Sequence, residues 1–157
     1  MNFLKKLSAP VMLAILLAGC SKSTDVELPI SSTNEEAISL YRGAQSAWAE
    51  NNGPKGREMM EKVLSLDPDF ILANLYVPTN DPNKWQEYRD RAKRNSENGN
   101  DHEKLSVKLW VAAREGRSDD YINLCKDLVS KYPNSSEAYV ELGNAYTGIE
   151  DLDKAIE

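Results

Sequence analysis

The side chains best suited to nucleophilic, metal-binding or neutral-pH proton chemistry are few: one histidine, His102, and two cysteines, Cys20 and Cys125. His102 stands in a polar turn between Asp101 and Glu103. No triad or zinc motif can be built around it, so the expected place for it is a solvent-exposed helix start. Cys125 falls on a helical stripe with Ile122, Leu128 and Val129, where cysteine acts as a small hydrophobe; Lys126, the basic neighbour that could activate it, points one helical step away. Glu150, Asp151 and Asp153 suggest a cation loop, yet the alternating acids, central glycine and terminal glutamate of a calcium loop are missing. Acids in the first turn of a helix, answering its dipole, explain them. Gly53 to Gly56 lacks the strand context and the Gly-Lys-Ser/Thr ending of a phosphate loop. No catalytic set, metal site or cofactor follows from these residues, and the chain reads as a non-enzyme.

Cys20 belongs to a different chemistry. Lys5 and Lys6 precede an apolar run from Val11 to Ala18, which ends at Gly19 and Cys20, the pattern of a secretory signal. The run is shorter than the ~20 residues a membrane-spanning helix needs. Leu17, Ala18, Gly19 and Cys20 closely resemble the lipobox of bacterial lipoproteins. That resemblance implies cleavage before Cys20, a diacylglycerol on its sulfur and acylation of the freed amine; two or more chains anchor stably where one does not. Ser21, where an aspartate would resemble an inner-membrane retention signal, implies the outer membrane, on its periplasmic or its surface face. Cys125 is then left without a disulfide partner. The formal charge of −6 becomes −8 once Lys5 and Lys6 are removed, and such a surface repels nucleic acid.

The expected organisation is a signal peptide over 1–19, a lipidated cysteine and flexible tether over 20–33, and a helical domain over 34–157. The tether reading rests on polar composition, Pro29 and the lack of helical period. Thr33 and Glu36 have the form of a capping box for a first helix from Asn34 to Glu50.

The helical domain is periodic. Tyr139, Leu142, Gly143, Tyr146 and Ala155 stand at spacings that resemble the tetratricopeptide repeat, in which large residues fill the gap between paired helices and small ones let backbones approach. One period of about 34 residues upstream, Leu105, Lys108, Leu109, Ala112, Tyr121, Cys125 and Pro133 take the same places. Gly116 is suited to a left-handed turn between that pair, with Ser118 as the next cap before Asp119 and Asp120. Leu40, Gly43, Ala44, Ala47, Gly56, Met60 and Pro68 mark a first repeat, turning at Asn51 to Pro54. Pro68 to Pro133 falls about three residues short of two periods. The deficit lies after Ile71 to Val77, where Pro78 to Pro82 stop one helix and start another, with Asp81 as cap and Pro82 first. Trp85, Tyr88 and Ala92 continue the stripe, Asn98 to Asn100 break it, and Asp101 is placed to cap the helix holding Leu105 to Ala113. The expected fold is all-α, an antiparallel helix-hairpin solenoid of about three and a half repeats. Its last helix, cut at Glu157 without a polar cap, suggests a fragment of a longer array.

The resemblance implies a scaffold for protein–protein interaction, with a protein or peptide partner in a concave groove lined by the first helix of each hairpin. Carried over by position, that groove takes Tyr41, Gln45 and Trp48 from the first repeat, Trp110 and Arg114 from the third, and Val140, Asn144 and Thr147 from the last. Asn144 would hold a peptide backbone through its donor and acceptor. Trp48 and Trp110 would act as aromatic anchors or else pack against the next helix. Two other readings use the same residues. The chain could be the regulatory or docking front part of a longer envelope enzyme, or a glycan-capturing lipoprotein stacking sugars on Trp48 and Trp110. Nothing in the sequence sets an oligomeric state.

Overall fold

A computed structural model describes residues 25–150 and 152–156, and from residue 35 onward helix follows helix. In order these are α1 (Glu35–Ala49), α2 (Gly53–Leu66), α3 (Ile71–Tyr76), α4 (Pro82–Ser96), α5 (Asp101–Arg114), α6 (Ser118–Lys131), α7 (Ser136–Gly148) and α8 (Leu152–Ile156). Each odd helix packs on the even helix after it, and successive pairs meet through α2 with α3, α4 with α5 and α6 with α7. The fold is therefore an all-α, antiparallel helix-hairpin solenoid, as the periodicity predicts. The signal peptide, Cys20, the first part of the tether, the acid at Asp151 and the break at Glu157 lie outside the described residues.

Local chemistry sets most boundaries. Asp81 accepts hydrogen bonds from the amides of Asn83 and Lys84 at 2.9 and 3.3 Å, and Pro82 opens α4. Three caps differ from expectation. Asn34, not Thr33, caps α1, taking the Ala37 amide at 3.0 Å. Asn100, not Asp101, caps α5; with Glu103 three residues on it forms a reciprocal capping box. Asparagine in extended backbone at that site answers the N3 amide, while Asp101, already helical, pairs with Lys131 at 2.7 Å. Ser118 does not cap α6: Arg117 occupies the cap position, with no side-chain cap bond. Gly116 closes α5 at φ 68°, a conformation only glycine adopts cheaply.

The shortened middle repeat is tied off from outside. α3 ends before Pro78, and the buried Arg89 of α4 donates to the carbonyls of Asn74 and Val77, each at 3.0 Å. These would otherwise be orphaned by so short a helix. Burial depresses the Arg89 pKa, its guanidinium having backbone carbonyls rather than a carboxylate for partners. Three apolar clusters fill the array. One joins α1 to α3 around Tyr41, Met60 and Phe70; one links α3, α4 and α5 through Ile71, Leu75, Ala92 and Val107; one joins α5 to α7 around Leu109, Cys125 and Leu128.

The third cluster also contains Leu28, which is 1% exposed. Residues 25–33 are therefore no free tether. They form a strap across the array, because Leu28 has an apolar site to fill and the extended backbone beside it finds polar partners.

Candidate partner-binding cleft

The strap and the first helices of the hairpins enclose a cavity of about 550 Å³. α1 contributes Tyr41, Gln45 and Trp48, which helical geometry puts on one stripe. α5 contributes His102, Ser106 and Leu109 on a matching stripe, and α7 contributes Glu137 and Glu141 from its first turns. Tyr76 and Pro78 enter from the end of α3, Leu128 from α6, and Leu28 from the strap. α1, α3, α5 and α7 all face this space, so it is the concave side of the solenoid.

Gly56 of α2 seats the outermost wall. A Cβ there would overlap the indole of Trp48, so the glycine lets that ring approach α2 closely. Tyr41 stacks on Phe70 with ring centroids 5.1 Å apart. Burial, then the neighbouring Tyr76 and Glu137, raise the Tyr41 phenol well above its ordinary value. Tyr76 keeps 42% of its surface open, yet its hydroxyl lies among the cleft walls; lost solvation, then Glu141, raise its pKa too. Gln45 Nε2 donates to Glu137 Oε1 at 3.2 Å and joins the two ends of the cleft.

The strap is held as an extended peptide would be. Arg42 Nη2 donates to the Leu28 carbonyl at 2.6 Å, Asn100 Nδ2 to the Pro29 carbonyl at 3.1 Å, and the Ser31 amide to Glu103 Oε1 at 3.0 Å. The Val26 amide donates to the Asn134 carbonyl at 2.9 Å. Asp25 receives both the amide and the hydroxyl of Ser136 at 2.7 Å, supplying α7 with the cap that its own Ser135 does not. His102 is consequently not exposed: it is 5% accessible, and its Nδ1 lies 2.9 Å from the Pro29 carbonyl, so the ring is engaged in holding the strap. Cys125 is fully buried as expected, and burial followed by the Glu141 charge pushes its thiol up to about 12.

Of the eight residues carried over to the groove, Tyr41, Gln45 and Trp48 line the cleft. Trp110 and Arg114 do not. Trp110 follows Leu109 and points about 100° further around α5, where its ring meets that of Trp85 at 5.6 Å. Lys93 sits 5.3 Å from the Trp110 ring and Arg114 5.2 Å from that of Trp85. Trp48 and Trp110 thus belong to separate surfaces and cannot clasp one sugar between them. Asn144 continues the stripe of Glu141 beyond the cleft edge into a smaller hollow beside Gly116 and Tyr121. Val140 is 60% exposed, and Thr147 donates back to the Gly143 carbonyl at 2.9 Å; neither lines the cleft. The carry-over assumes a regular superhelix, whereas the six-residue α3 shortens the middle of this one. The cleft closes on the first turns of α7.

Sequence reasoning missed Glu137, although it holds the second position of the same repeat register that yielded Val140 and Asn144. Leu28, Tyr76 and Pro78 carry no periodic signal, since they lie in or beside irregular segments.

The profile of the tetratricopeptide repeat family matches residues 136–157. A tetratricopeptide repeat is therefore present at the end of the chain. It coincides with α7 and α8, where a Cβ on Gly143 would lie 3.4 Å from the Ala155 carbonyl, the close approach that the repeat requires. No curated protein and no solved structure matches the chain. Tetratricopeptide repeats are in general protein-binding scaffolds without catalytic groups of their own.

Proposed function

We propose that this chain is a lipid-anchored scaffold of the bacterial envelope, which holds a segment of another protein in the cleft between α1, α5 and α7. One observation carries the binding part of that reading. The concave face already grips an extended peptide, its own strap, through side chains that read backbone carbonyls and an amide, and beside the strap an aromatic-walled space remains. That is the physics of extended-segment recognition: polar side chains bind the main chain and a pocket takes an alternate side chain. His102 is engaged with the Pro29 carbonyl and Cys125 is buried, so in this reading the cleft serves binding.

Anchoring is supported by Lys5, Lys6, the apolar run from Val11 to Ala18 and the Leu17 to Cys20 motif, with Ser21 favouring the outer membrane. Among the described residues no helix is long and apolar enough to cross a membrane. In this reading attachment is through acyl chains on Cys20.

Two measurements test the halves separately. A photo-crosslinking residue at Gln45 should trap a partner in intact cells, whereas the same residue at Val140, exposed but off the cleft, should not; equal trapping at both sites sinks the cleft assignment. Cys20→Ala should move the protein from the membrane fraction to the soluble envelope fraction, and undiminished membrane attachment would remove the anchor.

A further inference from the structure

We infer that the cleft selects a cationic segment: an extended stretch of a partner protein that seats an apolar side chain between the aromatic walls and a lysine or arginine against Glu137 and Glu141. This rests on the cleft being the partner site proposed above and adds the sign of what it accepts.

The lining is biased to one charge. Glu137 and Glu141 border the cavity, and among the described residues no lysine or arginine does. His102, the remaining titratable base at the wall, has its Nδ1 on the Pro29 carbonyl. The guanidinium of Arg42 lies 4.0 Å from Glu137, but it is shared with the Leu28 carbonyl at 2.6 Å and with Glu27 at 3.3 Å, so it offsets the carboxylate only in part. Both acids keep acceptor capacity. Glu137 takes Gln45 on one oxygen and Glu141 takes the Tyr121 hydroxyl on one, while an ionised carboxylate has about four lone-pair sites.

The same field acts on the cleft's phenols, since Glu137 raises Tyr41 and Glu141 raises Tyr76, each after burial. An anion brought between these walls would meet like charge with little water to screen it, and a cation would be stabilised. Trp48, Tyr41 and Tyr76 add aromatic surface for the alkyl stem and ammonium of a lysine, or for a guanidinium plane. A volume of about 550 Å³ suits a few residues of extended chain and excludes a folded domain. The strap shows that extended chain fits this face, and the net charge of −6 steers positive segments toward it.

The test is a selection of displayed random heptapeptides against the full chain in phosphatidylcholine nanodiscs, run beside the Glu137→Gln/Glu141→Gln double variant and a Gln45→Arg variant that brings a cation into the cleft. Wild type should enrich lysine or arginine next to a leucine, isoleucine or aromatic residue, and both variants should lose that enrichment. Remaking the best peptide with norleucine for its lysine should weaken binding about five- to tenfold on wild type, the scale of one or two partly exposed ion pairs, and not at all on the double variant. Peptides that need Trp48 but show no basic preference, or that resemble the acidic strap, would overturn the charge inference and leave the cleft standing. Recovery indifferent to Trp48→Ala, Gln45→Arg and the glutamate changes alike, or no recovery at all, would sink the cleft reading with it.

Discussion

Gln45 and Glu137 stand 92 residues apart in the chain and share a 3.2 Å hydrogen bond across the mouth of the cleft. The bond joins α1 to α7 across the concave face of the described hairpins, at the rim of the pocket that both residues line. Both partners are solvent-accessible, so the bond defines shape more than it adds stability.

The strap should behave as part of the fold. Leu28→Ala removes a fully buried side chain from the α5–α7 cluster and should destabilise the protein by about 2–4 kcal/mol. Chemical denaturation measures the loss. Hydrogen exchange should show faster exchange at the Val26 and Ser31 amides, which donate to Asn134 and Glu103. Stability within a few tenths of a kcal/mol of wild type would mean that the strap is loosely laid.

Asp25 should make the strap's hold on α7 depend on pH. Its hydrogen bonds to the Ser136 amide, then to the Ser136 hydroxyl, lower its folded pKa from 3.8. The lowered value means that the contribution is complete above 3.8 and disappears as pH falls through the folded pKa. Asp25→Asn should therefore melt at a lower temperature than wild type at pH 7, and the two melting curves should converge under acid conditions. A gap that stays constant down to pH 2 would assign the effect to something other than this carboxylate.

Gly56→Ala should disturb the cleft through packing alone. The new methyl overlaps the Trp48 indole, which must tilt off α2 at a loss of about 1–3 kcal/mol. Because Trp48 walls the cavity, the same substitution should weaken partner capture. Unchanged tryptophan emission and unchanged melting together would show that α2 yields instead.

Cys125 should be silent toward thiol reagents in the folded protein at pH 8, because its thiol is buried and its pKa is pushed up to about 12. Labelling should appear only with global unfolding and follow the same denaturant midpoint as helix loss. Rapid labelling under native conditions would contradict the burial of α6 against α7.

What could be read in the sequence is what short-range chemistry controls. The hairpin order, the break at Pro78 to Pro82 with its Asp81 cap, the Gly116 turn and the burial of Cys125 all follow from periodicity and turn residues acting within a few positions. That Tyr41, Gln45 and Trp48 share one face of α1 was legible for the same reason, being one stripe of one helix. The placement of Trp110 was not. Which neighbour meets a half-turn of helix depends on how the shortened α3 lets α4 and α5 pack, and Trp110 accordingly joined Trp85.

The strap marks the boundary between the two kinds of information. Its composition is polar, and no period distinguishes Leu28 from a residue in a free linker. Its order arises from partners at Arg42, Asn100, Glu103 and Ser136, and most of those contacts span 71 to 111 positions of sequence. The chain alone decides that helices form in pairs and stack, because helix propensity, caps and an apolar stripe are local properties. The packed array decides that Leu28 is buried, that His102 is engaged and that two glutamates face an aromatic cleft, because each of these depends on surfaces that exist only once distant segments have met.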